Sequence, residues 1–145
     1  MEFPWLSAQL VVTAALAGLC WTVQLTVYPL FPRVLAGLGQ QAFREYHAAY
    51  TRGMGFIAGP LMLAELALAL GWLYVAFDSP VAWFGGGLVV GIWALTFVYL
   101  VPLHHRLQQV PTSADAHRLA AGNWPRTLAW TVRAGLLAWA SALGL

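Results

Sequence analysis

Four apolar stretches set the limits on this 145-residue chain: Trp5 to Tyr28, Met54 to Phe77, Val81 to Leu103 and Trp124 to Leu143. Each is long enough for a helix to cross the hydrocarbon core of a bilayer, which takes about 20 residues at a rise of about 1.5 Å per residue. Backbone polar groups in lipid must be satisfied within the segment itself, so helices are the expected spanning element. The expected fold is all-α: an integral membrane four-helix bundle, one transmembrane domain over 1–145, with short interfacial helices in two cytoplasmic loops. Nothing of useful length is left for a soluble domain. Only 8% of the chain is charged, against roughly a quarter in an ordinary soluble domain, and no nucleic-acid partner is expected.

The first stretch lacks a basic leader and its apolar part runs past the length of a signal core, so it is expected to be a retained span. The single cysteine, Cys20, rules out a disulfide framework and a cysteine-built metal site.

All seven basic side chains are arginine, and their positions fix an orientation. Arg33, Arg44 and Arg52 follow the first span, and Arg106 and Arg118 follow the third, whereas the opposite side holds only Glu2 and Asp78. By the positive-inside rule the two arginine-bearing loops are cytoplasmic and both termini are outside. Trp5, Trp72, Tyr74, Trp83 and Trp139 lie toward the outer ends, where amphipathic rings favour the interface. In the loops, the apolar spacing of Val34, Leu35, Leu38, Ala42 and Phe43 predicts an interfacial helix over Val34 to Tyr50. A second helix is predicted over Ser113 to Ala121, capped by Ser113 and ending at Gly122. Gly85, Gly86 and Gly87 read as a close helix contact.

Against this apolar background two charges lie inside spans, Glu65 and Arg133. An ionisable group in a span costs about 2.5–3.5 kcal/mol or more unless paired or hydrated, so each suggests the other as its partner. Glu65 is eleven residues beyond Met54 and Arg133 nine beyond Trp124, which puts them at depths of about 16 and about 13 Å from the cytoplasmic side. They can meet within a turn, either as a buried clasp that fixes helix packing or as the deepest members of a polar cavity.

In the last span Asn123, Arg126, Thr127, Trp130 and Arg133 fall within an arc of about 120° at 100° per residue, a stripe that must face protein rather than lipid. Gln24 and Tyr28 share a side of the first span with Cys20, and Thr96 and Tyr99 approach the cytoplasmic end of the third. His47, Tyr50 and His104 stand at the same end. The chemistry-bearing side chains therefore gather in the cytoplasmic half. Bland readings stand beside these: Arg126 can snorkel to lipid phosphates, Asn123 can cap the last span, Tyr28, Tyr99 and Trp130 can be packing residues, and His105 and His117 read as loop histidines. His47 and His104 could converge as axial ligands of haem b, as ligands of a metal ion, or as acid–base groups. No local metal signature accompanies them.

The string Val23 to Phe31 (VQLTVYPLF), Phe43-x-x-Tyr46-His47-x-x-Tyr50, Gly59-Pro60-Leu61-Met62-Leu63-x-Glu65-Leu66, Val101-Pro102-Leu103-His104 and Asn123-Trp124-x-Arg126-Thr127-x-x-Trp130-x-x-Arg133 resembles a family of small bacterial four-span membrane proteins. The resemblance covers nearly the whole chain and implies a bacterial inner membrane location, but no activity. More distantly, the size, the four spans and the Trp/Arg-rich last helix are similar to the anthrone-oxygenase-like membrane family, whose members are linked to oxidation of polycyclic phenolic compounds.

Two functions follow as expectations. The first is an enzyme, oxidoreductase or isomerase-like, acting on a lipophilic small molecule. In it Glu65, Arg133, Arg126, His47 and His104 do the chemistry, and Asn123, Tyr28, Gln24, Tyr50, Thr127 and Trp130 hold the ligand. The second is a non-enzymatic holder of haem, quinone or pigment, acting as an accessory subunit of a larger membrane complex or as a homo-oligomer. Membrane lipid is a partner in both. Transport is disfavoured, because the outer half offers no polar pathway.

Overall fold

The computed structural model describes residues 4–144, and every regular element among them is helical. Helix α1 (Pro4–Thr22) passes into a π-helical segment, Val23–Val27, and a short 3-10 turn, Tyr28–Leu30, before α2 (Phe31–Val75) begins. Helix α3 (Pro80–Ala94) continues through a second π segment, Leu95–Leu100, into α4 (Val101–Gln109). Helix α5 (Ser113–Leu143) stops at Gly144, which takes the left-handed conformation of a helix C-cap.

Hydrogen bonding thus joins the elements into three continuous helical runs, where the sequence predicted four spans and separate loop helices. Two differences account for this. The segment predicted as an interfacial helix over Val34 to Tyr50 is the first part of α2, which breaks its helical geometry only at Gly39 (φ 79°, ψ 174°). That is a conformation with positive φ, open to glycine at no steric cost. The predicted boundary at Gly122 and Asn123 is likewise absent, because α5 runs through both. Its N-cap is Thr112, whose Oγ1 accepts from Asp115 N at 3.1 Å, one residue before the predicted Ser113. Asn123 is therefore interior to a helix and caps nothing. Pro125 is accommodated inside α5, with the hydroxyls of Thr127 and Thr131 donating to the carbonyls four residues back.

The genuine breaks lie at Ala76 to Ser79 and Val110 to Thr112. Ser79 caps α3 with Pro80 following, and Pro111 precedes the cap of α5.

The first run folds back on itself, so that α1 packs along both α2 and α5, and α3 packs on α2 and α5. Side chains meet in three layers. Leu6, Trp72, Ala82 and Leu137 form one end, Leu16, Met62, Ile92 and Trp130 the middle, and Val23, Tyr28, Phe43, Leu100 and Leu119 the other end.

Polarity is inverted relative to a water-soluble protein. Gln9, Gln24, His47, Glu65, Asn123 and Arg133 are buried, while Phe56 and Val98 are 78% exposed and Tyr74 is 88% exposed. Apolar surface on this scale marks contact with something other than water. Two of the runs, Trp5–Val75 and Pro80–Gln109, contain windows long and apolar enough to cross a membrane. The run Ser113–Leu143 carries both Arg126 and Arg133.

Candidate functional site

The two π segments have a shared cause and a shared consequence. Each is capped by the residue before a proline: Tyr28 N donates five residues back to Val23 O ahead of Pro29, and Val101 N to Thr96 O ahead of Pro102. The proline ring crowds the carbonyl four residues before it and supplies no N–H, so the turn ahead of it widens. Threonine hydroxyls in each stretch take up backbone carbonyls, Thr26 bonding Thr22 O at 2.5 Å and Thr96 bonding Ile92 O at 2.7 Å. The widened turns carry Gln24 and Thr96 inward, and Tyr28 follows the first of them.

Between them lies a pocket of about 310 Å³. Its apolar walls include Val23, Met54, Ala58, Met62, Phe97 and Leu100, and its polar groups are Tyr28, Tyr50, Thr96, His104 and Arg126, with Thr51, His105 and Gln108 at its mouth. Gln108 Nε2 donates to Thr51 Oγ1 at 2.9 Å, tying α4 to α2 there.

A hydrogen-bonded chain forms one wall. His47 Nε2 stands 3.0 Å from His104 Nδ1, and His104 Nε2 stands 3.2 Å from the Tyr28 hydroxyl. His47 is fully buried, stacked between Phe43 and His104 at centroid distances of 5.6 and 5.1 Å. Its Nδ1 has no partner. A buried N–H without an acceptor is the costlier kind of orphan, which places the His47 proton on Nε2. His47 then donates to His104 Nδ1, and His104 Nε2–H donates to the Tyr28 oxygen. The Tyr28 proton is left free to point into the pocket. Hydrogen bonding assigns this polarity.

Arg126 lines the same pocket, surrounded by Cys20, Tyr28 and Tyr50. Its Nε is sealed from solvent without a partner, and the Tyr50 hydroxyl is equally unpaired. No carboxylate pairs with Arg126 among the described residues, whose ion pairs are Arg118 with Asp115 and Arg133 with Glu65.

Glu65 and Arg133 meet as their depths require, but away from this pocket. Arg133 Nε donates to Glu65 Oε1 at 2.6 Å and Nη1 donates to the Gly85 carbonyl at 2.6 Å, with both side chains fully buried. With the Gln9 amide oriented to face it, Nη2 donates to the Gln9 oxygen at 2.5 Å. All three guanidinium nitrogens are thereby engaged, and α1, α2, α3 and α5 are joined at one point. Gln9 and Thr13 face the carboxylate, whose Oε2 keeps no partner within hydrogen-bond distance.

A third polar group lies on the far side of Arg126 from the clasp. Asn123 Nδ2 donates to Gln24 Oε1 at 2.9 Å and Gln24 Nε2 to the Ala120 carbonyl at 3.0 Å, with Thr127 3.2 Å from Asn123. This amide latch joins the first π segment to α5. Trp130 is fully buried among Leu16, Met62 and Ile92, and its indole nitrogen has no partner.

The sequence-predicted site residues therefore separate into three polar groups and one packing residue. Tyr28, Tyr50, His104 and Arg126 share the pocket, with His47 directly behind it. Gln24, Asn123 and Thr127 form the latch, Glu65 and Arg133 the clasp, and Trp130 the packed layer between. Gln9, Thr13 and Gly85 were missed for the clasp, and Thr51, His105 and Gln108 for the mouth. The missing signal was present in part: Gln9, Thr13, Cys20 and Gln24 recur at helical spacing on one face of α1.

As ligands, His47 and His104 are bonded to each other, and no third His, Cys, Asp or Glu joins them among the described residues. Two stacked rings on one wall do not present their nitrogens to opposite faces of a macrocycle, so this arrangement does not fit axial haem ligation. What it can do is hold a proton on Tyr28 beside an uncompensated cation. Comparison with family models, with curated proteins and with solved structures returned no match to this chain.

Proposed function

We propose that this chain is a four-span bundle of the bacterial inner membrane whose pocket binds a lipophilic small molecule and performs acid–base chemistry at one of its oxygens. The membrane reading is supported by the apolar exterior and by the layered core, each layer of which draws on α1 or the turns that directly follow it, on α2, on the α3–α4 run and on α5. Arginine-bearing loops at the end that opens beside His105 and Gln108 support a cytoplasmic mouth.

One observation carries the chemical reading: the Tyr28 hydroxyl accepts from His104 and stands in a pocket wall shared with Arg126, which has no anionic partner. In this reading Tyr28 gives its proton to a ligand carbonyl oxygen, and the phenolate left behind is held by the His104 Nε2–H and the Arg126 guanidinium. That phenolate takes a proton from the carbon next to the carbonyl, so that a keto form becomes its enol and Tyr28 is reprotonated. His47 donates to His104 Nδ1 and fixes its tautomer, which makes it a positioning residue. The hydrogen-bonded chain ends at His47 Nδ1, so no proton is delivered from solvent through it. The proton is lent and recovered, as in an isomerisation.

That blind end also favours a second reading, in which the same donors simply hold a quinone or pigment oxygen in a non-enzymatic accessory subunit. Turnover and binding of lipophilic ketones, phenols and quinones by the purified full chain in nanodiscs separate the two. Tyr28→Phe is expected to keep binding and lose turnover. Wild-type protein that binds without turning anything over supports the holder, and wild-type protein that binds none of these classes overturns both.

A further inference from the structure

The pocket of the proposed function has a second opening besides its cytoplasmic mouth. Helix α2 packs against α3 and against α4 but makes no comparable packing with the second π segment between them. At that level Gly55, Ala58 and Gly59 line the pocket from α2, opposite Thr96, Phe97 and Leu100. Open space lies above both glycines, and a Cβ placed on either would meet nothing within 4 Å. Phe97 itself is 55% exposed on the apolar exterior. The widened turn thus coincides with a lateral window, and the window leads to Arg126.

A guanidinium in such a place is unusual in two ways. Taking an unpaired charge from water costs several kcal/mol (order of magnitude), and natural sites offset that cost with a counter-charge. Glu45 bonds Gln41, Glu65 bonds Arg133 and Asp115 bonds Arg118, so those three carboxylates are engaged elsewhere. The groups around Arg126 are instead neutral donors, the Tyr28 and Tyr50 hydroxyls, which would bond an oxyanion in the same place.

We propose that the pocket takes the anion of a membrane-dissolved weak oxyacid, an apolar carboxylic acid or phenol, which reaches it sideways through the window beside Gly55 and Phe97. Arg126 is the counter-ion, Tyr28 and Tyr50 donate to the oxyanion, and the apolar body lies against Met54, Met62 and Leu100. This rests on the pocket of the proposed function but not on any chemistry there, because it requires binding alone.

The test compares tritiated dodecanoic acid with dodecanol, and para-nonylphenol with its methyl ether, binding to the full chain in nanodiscs at mildly alkaline pH. At least one acid is expected to bind about tenfold or more tighter than its neutral counterpart, the size of one charge-assisted contact. Which pair shows the preference distinguishes a carboxylate from a phenolate ligand. Arg126→Gln is expected to abolish the preference while leaving the neutral compound's affinity unchanged, and Arg126→Lys to retain part of it. Gly55→Leu, which fills the window without touching the charged groups, is expected to slow association several-fold.

Equal binding of acid and neutral compound by the wild type, or no binding of either, overturns the proposal without recourse to any variant. A preference that survives in Arg126→Gln overturns the role of Arg126, and an unchanged association rate in Gly55→Leu overturns the window. Acid preference without turnover of any substrate leaves this inference standing and sinks the acid–base reading. Turnover of neutral ketones with no acid preference does the reverse.

Discussion

Arg126 and Arg133 leave α5 seven residues apart, on the same face, and only one of them is paired. Arg133 is fully buried with a partner on each nitrogen: a carboxylate, a backbone carbonyl and an amide. Arg126 lies one layer nearer the end that holds Tyr28 and His104, against a cavity, with a sealed Nε that bonds to nothing. The difference comes from what each meets across the core. At Arg133, Gly85 lets α3 approach so closely that a Cβ there would stand 2.8 Å from Nη1. At Arg126, the π segments hold the helices apart. A closed charge locks helices together, whereas an open one waits for a ligand, so the two arginines should respond in opposite ways to substitution.

The largest expected effect is at the closed charge. Glu65→Leu strands the Arg133 guanidinium and should destabilise the fold by about 3–5 kcal/mol, measured by denaturant unfolding in mixed micelles. Adding Arg133→Met should restore most of that loss, because an apolar pair of similar volume carries no desolvation cost. A double variant that folds yet loses turnover would instead place the clasp within the chemistry and break the comparison.

Next in size is Tyr28→Phe, expected to lower turnover about a hundredfold with ligand affinity within a few-fold, as loss of one acid–base group does. Equal losses of binding and turnover would mean that Tyr28 only shapes the pocket. Gly85→Ala should cost about 1–3 kcal/mol of stability, since the added methyl displaces the guanidinium or forces α3 away. Thermal unfolding beside Gly87→Ala, where nothing lies within 4 Å, provides the control. The smallest effect sharpens the contrast most: Arg126→Met should change stability by no more than about 0.5 kcal/mol, or raise it, because nothing pairs with that charge. A loss comparable to Glu65→Leu would show that Arg126 is a structural residue after all.

The meeting of Glu65 and Arg133 was legible because depth along a helix is simple arithmetic. The clustering of Tyr28, Tyr50, His104 and Arg126 was legible only as a shared end of the bundle. Sequence placed clasp and pocket in a single funnel, since depth says nothing about which side of the core a residue faces. Gly39 was the hardest feature to read: helical patterning flanks it on both sides, and a single positive φ leaves no signature beyond the glycine itself. Asn123 before Trp124 and Pro125 has the pattern of a helix start, and that local preference lost to the continuation of α5 across it. The three-run organisation followed from these same junctions.

What the sequence determined by itself was helical structure and an apolar exterior, because each stretch is long, uninterrupted and nearly free of charge. It also determined that Glu65 and Arg133 needed partners, since an apolar medium leaves a charge no other choice. Only the tertiary structure decided that one arginine is saturated and the other unpaired. That outcome depends on how closely helices approach, and the approach is set by a glycine on a facing helix at one level and by two proline-induced π turns at the other. Each is a local backbone feature whose effect is felt only across the bundle.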